Sequence, residues 1–336
     1  MRNLKRVIIA GGTGFLGYAA AEQFLKKGIK VDIIALENEL PNLNFVDKQI
    51  GIELCDLFNS SLKEIEKLFG ENKYDALVYA LGPDDRYTPN APAYNFFHER
   101  LVDNCKKVLT AAKNSGINHC VVLSSYFAYF NKLQNGKLAK YHPYIKCRSE
   151  QQIECSTLCD EKFSVSFLEL PYIFGLAEGR TPIWKDSFLA HFDGFKSIFF
   201  PSGGGTAIID RIGVAEAVVA CTYFGKASEC YPIATDNITF KELLKLMLKG
   251  MNDKRKVVLI PAFLCALGTH GMVKKHKKQG KEAGLYYPKV MTQIMSKKFY
   301  IDPKSSMEKL HFAELGYTGG NDAKEEIVKT MKFFEK

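Results

Sequence analysis

Arg6-Val7-Ile8-Ile9-Ala10-Gly11-Gly12-Thr13-Gly14-Phe15-Leu16-Gly17 is a β-branched run that breaks into glycines and opens onto a helix-patterned segment. Leu16, Ala19, Ala20 and Phe24 are spaced for one helical face, Gly28 ends the helix, and Val31 to Leu36 reads as the next strand. Strand, tight turn, helix and strand in about thirty residues make a βαβ unit. Gly11, Gly14 and Gly17 form G-x-x-G-x-x-G at the turn. The first two glycines let the backbone turn sharply and approach a pyrophosphate, and Gly17 lets helix and strand pack closely. An anion placed there meets free N–H groups at the positive end of the helix. With strand before and helix after, Gly11, Gly12, Thr13, Gly14, Phe15, Leu16 and Gly17 read as a dinucleotide-binding loop.

Outward from this unit the alternation continues. Gly51 to Leu54 reads as a third strand, Leu62 to Phe69 as a helix, and Ala76 to Leu81 as a fully apolar fourth strand. Helix Phe97 to Asn114, strand Cys120 to Ser124, a helix from about Tyr144 to Leu158 and strand Ser164 to Leu170 follow. This spacing predicts a parallel sheet covered on both faces, and short apolar runs suit such double burial. After Pro171, Gly- and Pro-rich stretches such as Gly175 to Pro182 and Pro201 to Gly205 separate shorter elements. Thr239 with Glu242 reads as a capping box opening a helix to Met251. The expected class is α/β: a Rossmann-type doubly wound parallel sheet with a smaller C-terminal α+β substrate lobe over the carboxyl ends of the strands. Residues 1–170 are assigned to the nucleotide-binding domain, with 206–235 returning to it, and 171–336 mainly to the lobe.

Composition sets the remaining bounds. The 336 residues are 46% apolar and 25% charged, ordinary for a globular chain with a large core. Met1 to Arg6 is basic, but the apolar run Val7 to Ala10 is too short for a signal-peptide core or a membrane span, so a cytoplasmic location is expected. The nine cysteines show neither C-x-x-C nor zinc-ligand spacing, which predicts reduced, mostly buried thiols and no metal site. Net charge is +9, and Lys274, Lys275, Lys277, Lys278 and Lys281 concentrate five positive charges in eight residues. A solvated basic helix accounts for them, preceded by Val257 to Leu267 as a buried core segment. The partners expected are a small-molecule substrate and, in oligomerisation, a homodimer; nucleic acid and membrane are not expected.

Gly11 to Gly17 also resembles the nucleotide loop of the extended or atypical short-chain dehydrogenase/reductases, which include NAD-dependent sugar epimerases and dehydratases. Cys55-Asp56-Leu57 resembles that family's Gly-Asp-Leu, Tyr79-Ala80-Leu81-Gly82 its turn after the fourth strand, Leu170-Pro171-Tyr172-Ile173-Phe174-Gly175 its segment beside the nicotinamide, and Ile212 to Ala217 its late helix. The resemblance implies that Asp56, Leu57, Ala80, Leu81, Gly82, Pro171, Tyr172 and Ile173 contact the cofactor. The cofactor is NAD or NADP. At the second strand's end Ala35 and Leu36 occupy the positions usual for an acid and an Arg, and Glu37 just beyond can reach the ribose, which favours NAD.

The family's chemistry uses a tyrosine, a lysine four residues on, and a hydroxyl near the end of the fifth strand. A phenol of ordinary pKa about 10 is brought toward neutrality by a neighbouring cation, and a spacing of four puts both on one helix face. Here Tyr144 stands in the tyrosine position and Arg148 in the lysine position. Arg keeps the charge but not the geometry of a point cation. Lys146 lies nearly opposite Tyr144 on a helix and about 140° round from Tyr141. Direct counting places Tyr126 at the hydroxyl position, and a one-residue shift offers Ser125 instead. Glu169 stands where many relatives carry Arg, which departs from recognition of a sugar nucleotide diphosphate. Asp84, Asp85, Arg86 and Tyr87 follow the fourth strand, where loops carry function. His98 and Arg100 begin the next helix, and His142 precedes Tyr144 by two as a proton-shuttle position. Two readings remain: an active NAD(P)-dependent oxidoreductase, epimerase or dehydratase acting on a small polar carbonyl or hydroxyl compound, or a catalytically impaired dinucleotide-binding sensor, scaffold or RNA-associated protein.

Overall fold

Strand β1 (Arg6–Ala10) is covered on both sides: Val7 and Ile9 enter one apolar layer, Ile8 and Ala10 the other. In the computed structural model, which describes residues 1–335, this double burial repeats along the central sheet. The chain runs α1 (Phe15–Lys26), β2 (Lys30–Ala35), β3 (Gly51–Leu54), α2 (Leu62–Asn72), β4 (Ala76–Tyr79), α3 (Ala93–Phe97), α4 (Asn104–Asn114), β5 (His119–Ser125), α5 (Tyr126–Leu133), α6 (Pro143–Ser156) and β6 (Ser164–Leu170). It continues as β7 (Tyr172–Phe174), β8 (Ser197–Pro201), β9 (Gly205–Asp210), α7 (Arg211–Phe224), β10 (Cys230–Pro232), β11 (Asp236–Thr239), α8 (Phe240–Gly250), β12 (Lys256–Ile260), α9 (Ala262–Lys278), α10 (Tyr287–Lys289), β13 (Lys298–Phe299), α11 (Pro303–Lys309) and α12 (Ala323–Lys332).

The central sheet has seven strands in the order β10-β6-β5-β4-β1-β2-β3, every neighbouring pair parallel. On one face Val7, Ile9, Ile33 and Val121 meet Phe24 of α1 and Val214 and Val218 of α7. On the other, Leu77, Val122 and Phe167 meet Phe69 of α2, Leu109 of α4 and Cys155 of α6. The winding direction reverses between β1 and β4. Their carboxyl ends therefore leave a crevice between diverging loops, where doubly wound sheets take ligands.

A second sheet pairs β11, β9 and β13, with β7 also on β9. Its core, including Phe174, Ile208, Phe240 and Phe299, is continuous with Phe127 and Phe130 of α5 and Tyr144 of α6. Tyr144 is thus held where the sheet's helices meet the second lobe. Helix α8 opens as expected on Thr239, whose hydroxyl accepts from the Glu242 N–H at 3.2 Å. The Glu242 carboxylate turns instead to Lys324, 3.2 Å away, so the reciprocal half of the box is replaced by a tertiary ion pair.

The stretch Val257 to Leu267 departs from its expected burial. Pro261 divides it between β12, which pairs with β8 in a two-stranded ribbon, and the start of α9. Phe263, Leu264 and Leu267 are 61%, 44% and 63% exposed. Apolarity along the run suggests a core segment, but the ribbon is covered on one face only: Ile198 and Phe200 of β8 are buried in the core, whereas Phe199, Val258 and Leu259 stand exposed. Among the described residues no helix is long and apolar enough to cross a membrane.

Candidate active site

The loop after β1 is built by steric exclusion. Gly11 has φ +81°, and a Cβ on it would lie 2.7 Å from the Ala80 carbonyl oxygen. A Cβ on Gly17 would lie 2.2 Å from the Gly11 carbonyl oxygen. The turn thus packs against the end of β4 and against its own helix with no room for a side chain. Gly14 caps α1 without a side chain, so the first-turn amides, including those of Phe15 and Leu16, are left for an external acceptor. Gly12 and Thr13, within the loop, are buried. Arg180, from the segment after β7, donates to the Thr13 carbonyl. This cation beside the glycine loop had no local sequence signal, because 167 residues separate the pair.

At the end of β2 the structure places Glu37 in solvent. The helical turn Glu37–Asn42 folds back, with the Glu39 N–H donating to the Leu36 carbonyl at 2.9 Å. This brings Glu39 inward, where its carboxylate accepts from the Thr13 hydroxyl and the Leu36 N–H, each at 3.3 Å. The acid touching the loop is therefore Glu39, two residues beyond the expected one. Counting along an extended chain misses it because the turn shortens the path.

Asp56 organises its own loop. Its carboxylate accepts from the Phe58 and Asn59 N–H groups and, at 2.7 Å, from the Asn59 side chain. These bonds, with the Asn59 side chain foremost, hold its pKa below the ordinary value. Leu57 is buried against Ile8, Ala10 and Ile34. Ala80 and Leu81 are half-buried and Gly82 is exposed beyond β4. Past β6, Pro171 is buried, the Ile173 carbonyl accepts from Trp184 Nε1 at 2.9 Å, and the Tyr172 ring lies 5.0 Å from that of Trp184.

On α6, Arg148 Nε donates to the Tyr144 hydroxyl at 3.1 Å. The remaining guanidinium bonds run to the Leu123 carbonyl at 3.1 Å, Gln151 Oε1 at 3.0 Å and the Pro83 carbonyl at 3.5 Å. A lysine ammonium could not span these directions, so Arg148 joins β5, α6 and the loop after β4 around the phenol. Tyr144 is 4% exposed. Its ring lies 5.5 Å from that of Phe97, and its N–H donates to the Gly284 carbonyl at 3.0 Å. Burial pushes the phenol above its ordinary pKa against the pull of Arg148, and Asp85 and Asp84 add to the rise.

The two hydroxyl positions separate clearly. The Tyr126 hydroxyl lies 2.9 Å from Thr206 Oγ1 on β9, inside the wall between sheet and lobe. Burial raises its pKa far above the ordinary value. Ser125 is the last residue of β5 and caps α5, its Oγ accepting from the Phe127 N–H at 3.3 Å.

Asp84 and Arg86 pair with each other, and Asp84 also accepts from the Arg86 N–H, which makes them the frame of a turn. Asp85 faces inward. Burial first, then Asp84, lifts its carboxyl to about 6, and its charge is felt by Tyr126, Tyr144, Tyr172 and Tyr287. Tyr87 is exposed and stacks on Phe96. His98 and Arg100 are engaged by neighbouring Asp103 and Glu99. His142 is not placed as a shuttle: it is fully buried, its Nδ1 accepts from the Tyr286 N–H at 3.1 Å, and burial lowers its pKa to about 4. Glu169 lies within the sheet layer beside Ser124, accepting from Gln152 at 2.9 Å, and burial raises it to about 7. Among the described residues no group of three His, Cys, Asp or Glu is placed to hold a metal ion.

Solved structures share this architecture. The structure of gox2253 is 15% identical, with a TM-score of 0.74, covering 98% of each chain. UDP-glucose 4-epimerase from Bifidobacterium longum, solved with NAD+ and UDP, is 14% identical, with a TM-score of 0.68 and 98% of each chain covered. The Bordetella bronchiseptica enzyme WbmG, solved with NAD, is 15% identical, with a TM-score of 0.65, covering 99% of this chain and 94% of that one. Among curated proteins no sequence match is found. The model of the NAD dependent epimerase/dehydratase family matches residues 7–174, half of the sequence, and the chain belongs to that family.

Proposed function

We propose that this enzyme uses NAD to act on a small polar carbonyl or hydroxyl compound, as an oxidoreductase, epimerase or dehydratase, with Tyr144 as proton donor and acceptor. The observation that carries the reading is the 3.1 Å bond from Arg148 Nε to the Tyr144 hydroxyl. It occupies one lone pair of the phenol oxygen and leaves the O–H free to serve a substrate oxygen. The buried guanidinium also lowers the cost of the phenolate once a proton has left. Ser125, at the end of β5, is the residue to orient the substrate oxygen, because the hydroxyl of Tyr126 is engaged by Thr206.

The glycine loop fits a dinucleotide: Gly11 and Gly17 exclude side chains from the cradle, and the uncapped amides of α1 suit a pyrophosphate. NAD supplies the hydride acceptor of such chemistry. Glu39, whose carboxylate lies against Thr13 of the loop, is the acid to meet the adenosine ribose hydroxyls, and its negative charge disfavours the 2′-phosphate of NADP. Asp85 among phenols favours a substrate rich in hydroxyls and without an anionic group beside the reacting carbon.

The burial of Tyr144 and the engagement of the remaining Arg148 nitrogens by Leu123, Gln151 and Pro83 favour a second reading, a dinucleotide-binding sensor without turnover. One experiment separates the two. The chain is titrated with NAD and NADH by calorimetry, then followed for cofactor oxidation or reduction, and for epimerised or dehydrated product, across polyol, sugar and hydroxycarbonyl substrates. Turnover that Tyr144→Phe abolishes supports the enzyme, whereas tight cofactor binding with no turnover supports the sensor.

A further inference from the structure

The segment 254–281 contains seven lysines and one arginine without a single Asp or Glu. It includes the whole of α9, whose exposed surface has an unusual division. Phe263, Leu264 and Leu267 stand out of its first half, each more than 40% exposed. At roughly 100° per residue, Lys274 and Lys278 fall on the same side as Phe263 and Leu267, flanked by Lys275 and Lys277. All four lysines are exposed, and none makes an ion pair among the described residues. The outward face is therefore apolar and then basic along the axis, with about 17 Å between Phe263 and Lys274 at 1.5 Å per residue. Alongside, α9 packs on β8, where exposed Phe199 sits in register beside exposed Val258 of β12.

We propose that this face docks the protein on an anionic lipid bilayer. The large apolar side chains enter the interfacial layer, and the lysines, long enough to lie along it, meet the headgroup phosphates. Charge complementarity selects this occupant. A nucleic acid would use the lysines but leave the phenylalanine and leucines unsatisfied. A second copy of the same face, paired about a two-fold axis, would bury lysines without counter-charges. The attachment is peripheral, since α9 does not span a bilayer. It also bears on the site, because the chain leaving α9 is tied to the substrate side. The Gly280 carbonyl accepts from the Ala91 N–H at 2.8 Å, and the Gly284 carbonyl accepts from the Tyr144 N–H at 3.0 Å.

The test is co-sedimentation of the intact protein with vesicles of phosphatidylcholine alone and of phosphatidylcholine mixed with phosphatidylglycerol. The expected result is binding only to the mixed vesicles, weakening as salt is raised. Replacing Lys274, Lys275, Lys277 and Lys278 together by Gln should lower partitioning at least about a hundredfold, each lysine near an anionic surface being worth roughly fivefold. Phe263→Ser, Leu264→Ser and Leu267→Ser combined should also abolish binding, with circular dichroism and the thermal midpoint showing that both variants fold. Three outcomes overturn the proposal. One is no sedimentation with anionic vesicles; another is equal binding by the folded variants. The third is a dimer in sedimentation velocity that the serine variant dissociates, which would give the face to a second copy.

Discussion

Arg148 approaches Tyr144 from one turn along the same helix and donates to its hydroxyl at 3.1 Å, while its other nitrogens hold Leu123, Gln151 and Pro83. The cation therefore serves as both an electrostatic partner of the phenol and a tie between three parts of the fold. Those two roles can be separated by mutation.

Arg148→Met should cost roughly 3 kcal/mol of folding stability, because it strands several buried acceptors. Tyr144→Phe should change stability by about 1 kcal/mol or less while lowering turnover at least about a hundredfold. Urea unfolding and steady-state rates on the same two variants check this. Equal stability losses would count against the tie.

Gly17→Ala should abolish NAD binding, since the added methyl would lie 2.2 Å from the Gly11 carbonyl oxygen. The backbone shift needed to relieve it would move the loop amides and cost about 1–3 kcal/mol in stability. Calorimetry with NAD on the folded variant measures the first effect and thermal unfolding the second.

Cofactor preference should follow Glu39 rather than Glu37. Glu39→Ala should weaken NADH binding about tenfold, the loss of one charged hydrogen-bonding group, and narrow the gap to NADPH. Glu37→Ala should leave both unchanged. Fluorescence titration of each variant with the two reduced cofactors distinguishes the acids.

Glu169 makes stability depend on pH in a definite direction. Its carboxyl is raised from 4.5 to about 7 by burial, so the folded protein holds a proton there that the unfolded chain has released. Its contribution is at its most favourable below about 4.5, declines as pH rises, and is lost above about 7. Glu169→Gln keeps the bond from Gln152 without the ionisation. It should be more stable than the parent at pH 8, by up to roughly 3 kcal/mol, and nearly equal at pH 4. Parallel unfolding curves across this range would remove Glu169 as the cause.

Ser125→Ala and Tyr126→Phe should part company. Losing the Ser125 hydroxyl should slow turnover at least about tenfold, whereas losing that of Tyr126 should cost about 1 kcal/mol of stability with turnover retained. Rates and unfolding midpoints for the pair check the assignment.

The residues from Arg6 to Gly17 were enough to specify the glycine turn between β1 and α1, because a buried strand, a turn without side chains and a helix start are all local constraints. The four-residue spacing of Tyr144 and Arg148 likewise follows from helix geometry, whatever surrounds it. Where the side-chain ends go was decided at long range. Thr206 engages the hydroxyl of Tyr126 from 80 residues away, Arg180 reaches Thr13, and Tyr286 covers His142. The exposure of Phe263 and Leu267 had no local sign either: hydrophobicity is a property of the residue, but burial requires a second surface, and only the packed chain determines whether one is there.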